Sequence, residues 1–249
     1  MGYDGRVVIV TGAARGLGRE YAQLFASEGA RVGVADIALD GAQDTASVIR
    51  GRGGEALAVG VDVTDERSTL DMADSVLGAW GRVDILVNNA AVWGDLERAT
   101  LLDIDPRYWD TVMAVNLKGP LLCVRAVAPA MRAAGWGRII NISSMGAYML
   151  GGVYSTSKLA LNHLTWGLAA ELGGDGITVN AVAPGTIDNE ATRRQVGPAV
   201  IESLVARSIV KRAGTAHDIY AALRYLASDE AAFVTAQTLL VNGGHLTRL

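Results

Sequence analysis

Apolar residues follow two alternating rhythms along this chain. Short β-branched runs bounded by glycine and small polar residues have the length of buried strands: Arg6–Val10, Arg31–Ala35, Ala56–Val61, Val83–Val87, Arg138–Ile142, Ile177–Val182 and Thr238–Val241. Between them lie segments of helical spacing. In Leu17–Glu28 the residues Leu17, Tyr21, Leu24 and Phe25 share one face. Leu39–Arg50 ends at a Gly51–Gly54 break, and Asp65–Trp80 offers Thr64 or Asp65 as its N-cap. Pro106–Ala134 reads as one long helix with Pro106 in its first turn. Gly152–Leu172 and Thr215–Ala227 complete the helical set, while Thr186–Ala206 follows neither rhythm. Seven strands alternating with helices predict an α/β fold, a doubly wound parallel sheet with helices on both faces. No repeat and no linker divides the chain, so residues 1–249 are expected to form a single domain.

Composition agrees with a covered parallel sheet. Half of the 249 residues are hydrophobic, and Ala, Val, Leu and Ile supply most of them. The net charge is −4 with no basic block, which argues against nucleic acid as a partner. Cys123 is the single cysteine; it excludes an intrachain disulfide, fits a reducing cytoplasm and reads as a small apolar residue on a buried helix. His163, His217 and His245 have no zinc-binding spacing, so no metal is expected. The first residues lack a secretory apolar core, and on this reading no stretch approaches the roughly 18 apolar residues that span a bilayer, so no membrane partner is expected.

The first chemistry lies between strand one and helix one, in Thr11-Gly12-Ala13-Ala14-Arg15-Gly16-Leu17-Gly18. Gly12 suits a tight turn, Gly16 lets the backbone approach a pyrophosphate, and Gly18 allows close helix–strand packing. The helix start then offers free N–H groups and a positive dipole end to the phosphates. Three glycines alone are also what any tight turn shows; here a strand precedes, a helix follows and an acid closes the next strand. That acid, Asp36, followed by Ile37, can accept hydrogen bonds from ribose hydroxyls and would repel a 2′-phosphate. The expected fold is therefore Rossmann-like and the expected cofactor NAD. Arg15 is a counter-signal, since a cation there could hold the 2′-phosphate of NADP.

Further on, Gly152-Val153-Tyr154-Ser155-Thr156-Ser157-Lys158 places tyrosine and lysine four residues apart on one helix face. A free phenol has a pKa near ~10. A neighbouring ammonium and the helix N-terminus both favour the phenolate, so Tyr154 can exchange a proton with a substrate oxygen. The pair alone could equally be a surface tyrosine beside a solvated lysine. With the glycine turn, Asn88-Asn89-Ala90 after the fourth strand, Asn116, Ser143-Ser144 and Pro184-Gly185, the chain resembles the short-chain dehydrogenase/reductase family over nearly its whole length.

The resemblance implies an enzyme that moves a hydride between a nicotinamide and a carbonyl or secondary alcohol. It implies a catalytic set of Asn116, Ser144, Tyr154 and Lys158. Ser144, the second of the serine pair, would hydrogen-bond the substrate oxygen; Asn116 would hold a water linking Lys158 to solvent. Lys158 would also bond the nicotinamide ribose. Asp62 and Val63 would meet the adenine end, Asn88 and Ala90 would line the cofactor and steady the sheet, and in the cofactor-binding stretch Pro184, Gly185, Thr186 and Ile187 it is Thr186 that would meet the carboxamide. Family members are usually homotetramers, with Pro106–Ala134 and Gly152–Leu172 at one interface and the tail Thr238–Leu249 at another.

Some positions depart from the family pattern. The interval from Ser144 to Tyr154 is a few residues short. Ala91 replaces a common glycine, Asp188-Asn189 stand where threonine is common, and Asn242 stands where aspartate is usual. Residues 186–206 read as a mobile lid. Trp93, Ser144, Met145, Tyr148, Met149, Leu150 and Ile187 are the pocket candidates, although core or interface packing would account for their apolar side chains equally well. They favour a small-molecule alcohol or ketone with an apolar or aryl body. An NADPH-dependent reductase of 3-oxoacyl thioesters is the alternative. A nucleotide sensor or an adenosyl-dependent methyltransferase would not need the tyrosine–lysine pair.

Overall fold

The computed structural model describes residues 2–93 and 99–247. Met1, and Arg248 and Leu249 at the end of the tail expected at an interface, lie outside the described residues. Seven strands form one sheet: β1 (Val7–Thr11), β2 (Arg31–Asp36), β3 (Glu55–Gly60), β4 (Ile85–Asn88), β5 (Gly137–Ile142), β6 (Ile177–Pro184) and β7 (Thr238–Val241). Their order is β3-β2-β1-β4-β5-β6-β7, and every neighbouring pair is parallel. Parallel neighbours need crossovers, and the helices supply them. The order reverses between β1 and β4, which opens a crevice at the carboxyl ends of the strands.

The strands are continuous apolar runs because both faces are covered. Within β1, Val8 and Val10 join one core and Val7 and Ile9 the other. The first core is closed by α1 (Gly16–Ser27), α2 (Leu39–Gly51) and α9 (Ala216–Leu226), through residues such as Phe25, Ile49 and Leu223. The second is closed by α3 (Glu66–Trp80), α5 (Gly119–Ala134) and α6 (Val153–Leu172), through Met72, Val127 and Leu172. Asp65, rather than Thr64, caps α3, its carboxylate accepting from Arg67 N.

Two segments differ from expectation. Pro106–Ala134 is not one regular helix: α4 (Pro106–Met113) passes through a π-helical turn, Ala114–Lys118, into α5. Pro120 has no N–H to reach the carbonyl of Asn116, so the ordinary four-residue ladder fails at that point. The combined 29 residues are long and apolar enough, by length and composition, to cross a membrane, contrary to the reading of the sequence. More than half of the apolar window is buried inside the fold, where Cys123, Val127 and Met131 pack on the sheet. Residues 186–206 form α7 (Glu190–Val196) and most of α8 (Pro198–Arg207). Thr186 and Asp188 are tied to Gly214 by backbone hydrogen bonds at the base of this segment.

Candidate active site

A cavity of about 440 Å³ opens at the crevice and reaches from the glycine turn to α6. Gly12 and Gly16 both take positive φ, +66° and +57°. A methyl group on Gly12 would lie 2.8 Å from Ala90 Cα, and one on Gly18 would overlap the Gly12 carbonyl oxygen. Gly16 has no atom within 4 Å of where its side chain would stand, so its face is open to the cavity it lines. The turn fits an approaching pyrophosphate at the start of α1, where the first N–H groups have no helical partner.

The turn is clamped from β4. Asn89 Nδ2 donates to the carbonyls of Thr11 (2.9 Å) and Gly12 (3.1 Å), and the Thr11 hydroxyl accepts from Asn89 N and Ala90 N. The sequence reading gave this neighbourhood to Asn88, which is buried and does not line the cavity. Asn88 pairs in register with Asn141 of β5, and its Nδ2 donates to Asn141 Oδ1 at 2.9 Å. Side chains alternate along a strand, so its successor faces the turn instead. The Thr-Gly pair itself was the signal for this clamp.

Asp36 lines the cavity with both carboxylate oxygens held by backbone, accepting from Ala14 N and Ala38 N at 2.9 Å. Ile37 beside it is 74% exposed, and Asp62 and Val63 line the same end together with Arg15 and Leu17. Near the far end, Pro184, Gly185 and Ile187 line the wall. Thr186, expected to meet the carboxamide, does not itself line the cavity; its Oγ1 is buried beside that wall without a hydrogen-bond partner. These features together fit a nicotinamide dinucleotide.

Tyr154 sits in the first turn of α6, with Lys158 one turn on. Lys158 Nζ donates to the Ile142 carbonyl at 2.7 Å and lies 5.7 Å from the centre of the Tyr154 ring. Burial dominates both groups. It lowers the Lys158 amine to about 7 and pushes the Tyr154 phenol up to about 12, with the Ser144 hydroxyl opposing the latter. Burial thus works against the phenolate and weakens the ammonium expected to support it.

Ser144 caps the short 3₁₀ turn Met145–Tyr148, its Oγ accepting from Gly146 N at 3.0 Å, and faces Tyr154. Ser143 is turned back, donating to the Lys158 carbonyl. The shortened loop thus still brings Ser144 and Tyr154 together. Asn116 is buried in the π turn, off the cavity; Oδ1 accepts from Val92 N and Nδ2 donates to Ser157 Oγ. Both ends of its amide tie the β4–α4 connection to α6, a positioning task that the sequence reading did not include.

Of the pocket candidates, Trp93 packs on Tyr154, with ring centres 4.7 Å apart and planes tilted by 40°. Ser144 and Ile187 line the cavity. Met145 and Tyr148 do not: Met145 is buried in the turn, and the Tyr148 hydroxyl accepts from Asn162. Leu150 is fully exposed and outside the cavity. Missed by the sequence reading were Asn189, Glu190, Thr192 and Arg194 of the α7 segment, a polar wall in a stretch without periodicity. Asn189 caps α7 by accepting from Thr192 N, and Asp188 pairs with Arg193. Asn242 uses its amide to donate to the Leu246 carbonyl, which an aspartate cannot do. Among the described residues no three His, Cys, Asp or Glu side chains gather to hold a metal.

A family model described as enoyl-(acyl carrier protein) reductase matches residues 12–245. An uncharacterized oxidoreductase of Mycobacterium tuberculosis is 44% identical over 246 residues, covering 99% of both chains. Sorbitol dehydrogenase of Cereibacter sphaeroides is 38% identical over 98% of this chain and 99% of its own. The crystal structure of a short-chain type dehydrogenase/reductase from Mycobacterium marinum is similar with a TM-score of 0.90 at 32% identity, over 99% of this chain and 98% of that one.

Proposed function

This chain belongs to the short-chain dehydrogenase/reductase family and is an oxidoreductase of alcohol or ketone groups, and from that premise we propose that it uses NAD(H) on a secondary alcohol or ketone with an apolar or aryl body. The observation that carries the reading is the convergence of Tyr154, Ser144 and Lys158 on the cavity that also holds the glycine turn. When bound, the nicotinamide supplies or receives the hydride. Tyr154 Oη gives its proton to the substrate oxygen in reduction and takes one in oxidation. Ser144 Oγ hydrogen-bonds that oxygen and orients it. Lys158 sits close to neutral pH in its titration, which suits a group that passes protons to and from the phenol. Asn116 holds the connection after β4 against α6 and so steadies Tyr154's neighbours.

Asp36 supports NAD, because a 2′-phosphate would meet its charge in a confined site. Gly12, Gly16, Gly18, Asp62, Val63, Ala90, Pro184, Gly185, Thr186 and Ile187 would hold the rest of the dinucleotide. Trp93 and Ile187 support an apolar substrate body. Arg15, which lines the same cavity, favours a second reading, an NADPH-dependent reductase of 3-oxoacyl thioesters. Exposed Leu159 and Trp166 on α6 support a homotetramer, and the lone buried thiol of Cys123 accords with a cytoplasmic location.

The test is reduced-nicotinamide absorbance with a panel of alcohols and ketones, run with both cofactors. We expect turnover of apolar secondary alcohols with NAD, and a loss of about 10²–10⁴-fold in Tyr154→Phe with NAD binding retained. Tighter binding of NADP(H), or turnover confined to small charged hydroxy acids, contradicts the reading.

A further inference from the structure

The loop between Ser144 and Tyr154 lies against α6 at Gly146 and Gly151 and is hydrogen-bonded to it at Tyr148. Gly146 leaves room for two hydroxyls: a side chain there would press on Ser144 Oγ at 3.3 Å and Ser155 Oγ at 3.5 Å. Gly151 is fitted more tightly still, since a methyl group on it would overlap Ser155 Oγ. At the end of the 3₁₀ turn, the Tyr148 hydroxyl accepts a hydrogen bond from Asn162 Nδ2 at 2.9 Å. Asn162 stands four residues after Lys158 and eight after Tyr154, so the three share one face of α6. It is 4% exposed, and its Oδ1 has no hydrogen-bond partner. A buried amide with an unmet acceptor is poorer for stability than a leucine of similar size. What its Nδ2 holds is therefore the reason for an amide at this position.

We propose that Asn162 is a positioning residue: by holding Tyr148 it pins the turn that begins at Ser144 against the helix that carries Tyr154, and so sets the spacing of the two hydroxyls. The inference rests on the assignment of Ser144 and Tyr154 to the reaction. It gives Tyr148 a structural task in place of the substrate contact expected from the sequence. The turn Met145–Tyr148 is short, and Gly151 packs too closely on Ser155 to shift toward α6. Misplacing a group by about 1 Å in such a site costs on the order of 10²-fold in rate, and a partial shift proportionately less.

The experiment compares Asn162→Leu, Tyr148→Phe, the double variant and Tyr154→Phe in the full chain with NAD and an accepted alcohol. Each of the first two should lower kcat about tenfold with KM changed by less than about twofold, and the double variant should be no worse than either single one. The acidic limb of the kcat–pH profile for alcohol oxidation should move upward, since the phenol must be ionised to take the proton and Ser144 helps it to ionise. Asn162→Leu should keep or raise Tm, which a merely structural role would not allow. An unchanged kcat, losses that multiply in the double variant, or a rise in KM alone overturns the proposal; the last would make Tyr148 a substrate contact. Should Asn162→Leu not fold, Tyr148→Phe carries the test, because that ring is part-exposed. Full turnover in Tyr154→Phe would instead remove the reading on which the proposal stands.

Discussion

Alanine substitutions at Gly18 and Gly16 should separate the architecture of the glycine turn from its chemistry. A methyl group at Gly18 would overlap the Gly12 carbonyl oxygen and lie 2.5 Å from Asn89 Nδ2 and 2.9 Å from the Gly12 carbonyl carbon. Non-bonded carbons settle near ~3.5–4.0 Å, so the turn must move by about 1 Å. That overpacking costs about 1–3 kcal/mol. It also breaks the Asn89–Gly12 hydrogen bond, for about 1 kcal/mol more. With each kcal/mol worth about 2–4 °C at this length, Gly18→Ala should lower Tm by roughly 4–16 °C. Gly16 is different: nothing stands within 4 Å, and only its φ of +57° is strained by a side chain. The strain is about 1–2 kcal/mol, so Tm should fall by roughly 2–8 °C. Its methyl group would, however, occupy the face open to the phosphates and weaken NADH binding by more than about tenfold. Thermal unfolding without cofactor and a fluorescence titration with NADH read the two effects. A Gly18→Ala protein as stable as the parent, or a Gly16→Ala protein with undiminished NADH affinity, refutes the reasoning.

Other outcomes follow from groups already described. Lys158 titrates near 7 when folded, against its ordinary 10.5. Between pH 7 and 9 the unfolded chain therefore holds a proton that the folded one has lost, and cofactor-free stability rises by up to about 1.4 kcal/mol per pH unit. Above pH 9 the raised values of Cys123 and Tyr154 reverse the sign, because the unfolded chain then loses protons first. Denaturant unfolding of Lys158→Met should lack the rise between pH 7 and 9; an equal slope in that variant counts against the assignment. Thr186→Val removes a buried hydroxyl that has no partner, so Tm should hold or rise while NAD affinity, measured by calorimetry, falls several-fold. A clean monomer in light scattering would rule out the homotetramer.

The parallel sheet and the nucleotide end of the cleft were legible because strand periodicity and the Thr11–Gly18 turn are local signals. Asp36, Gly16 and the Tyr154–Lys158 pair all meet the cavity named for them. Effects that depend on the third dimension were not legible. The π turn arises where Pro120 withholds a donor from a carbonyl one turn back, within a segment whose apolar pattern runs on unbroken. The α7 wall has no period to betray it. Whether Lys158 keeps its charge depends on how much water reaches it, which spacing along a helix does not encode. The same holds for Asn88, where one step along a strand decides between sheet interior and cleft.

The Asn89 clamp has a bearing on biosynthesis. The glycine turn belongs to the first twenty residues, yet the side chain that fastens it comes 78 positions after Thr11 and 77 after Gly12. A nascent chain that has emerged only as far as α3 thus carries the loop without its fastening. Nucleotide affinity is expected to arise late in translation, once β4 has slotted in beside β1, and hydrogen exchange on a fragment ending before β4 should find the loop amides unprotected. Ligand could then rescue only those chains that had already completed this long-range pairing.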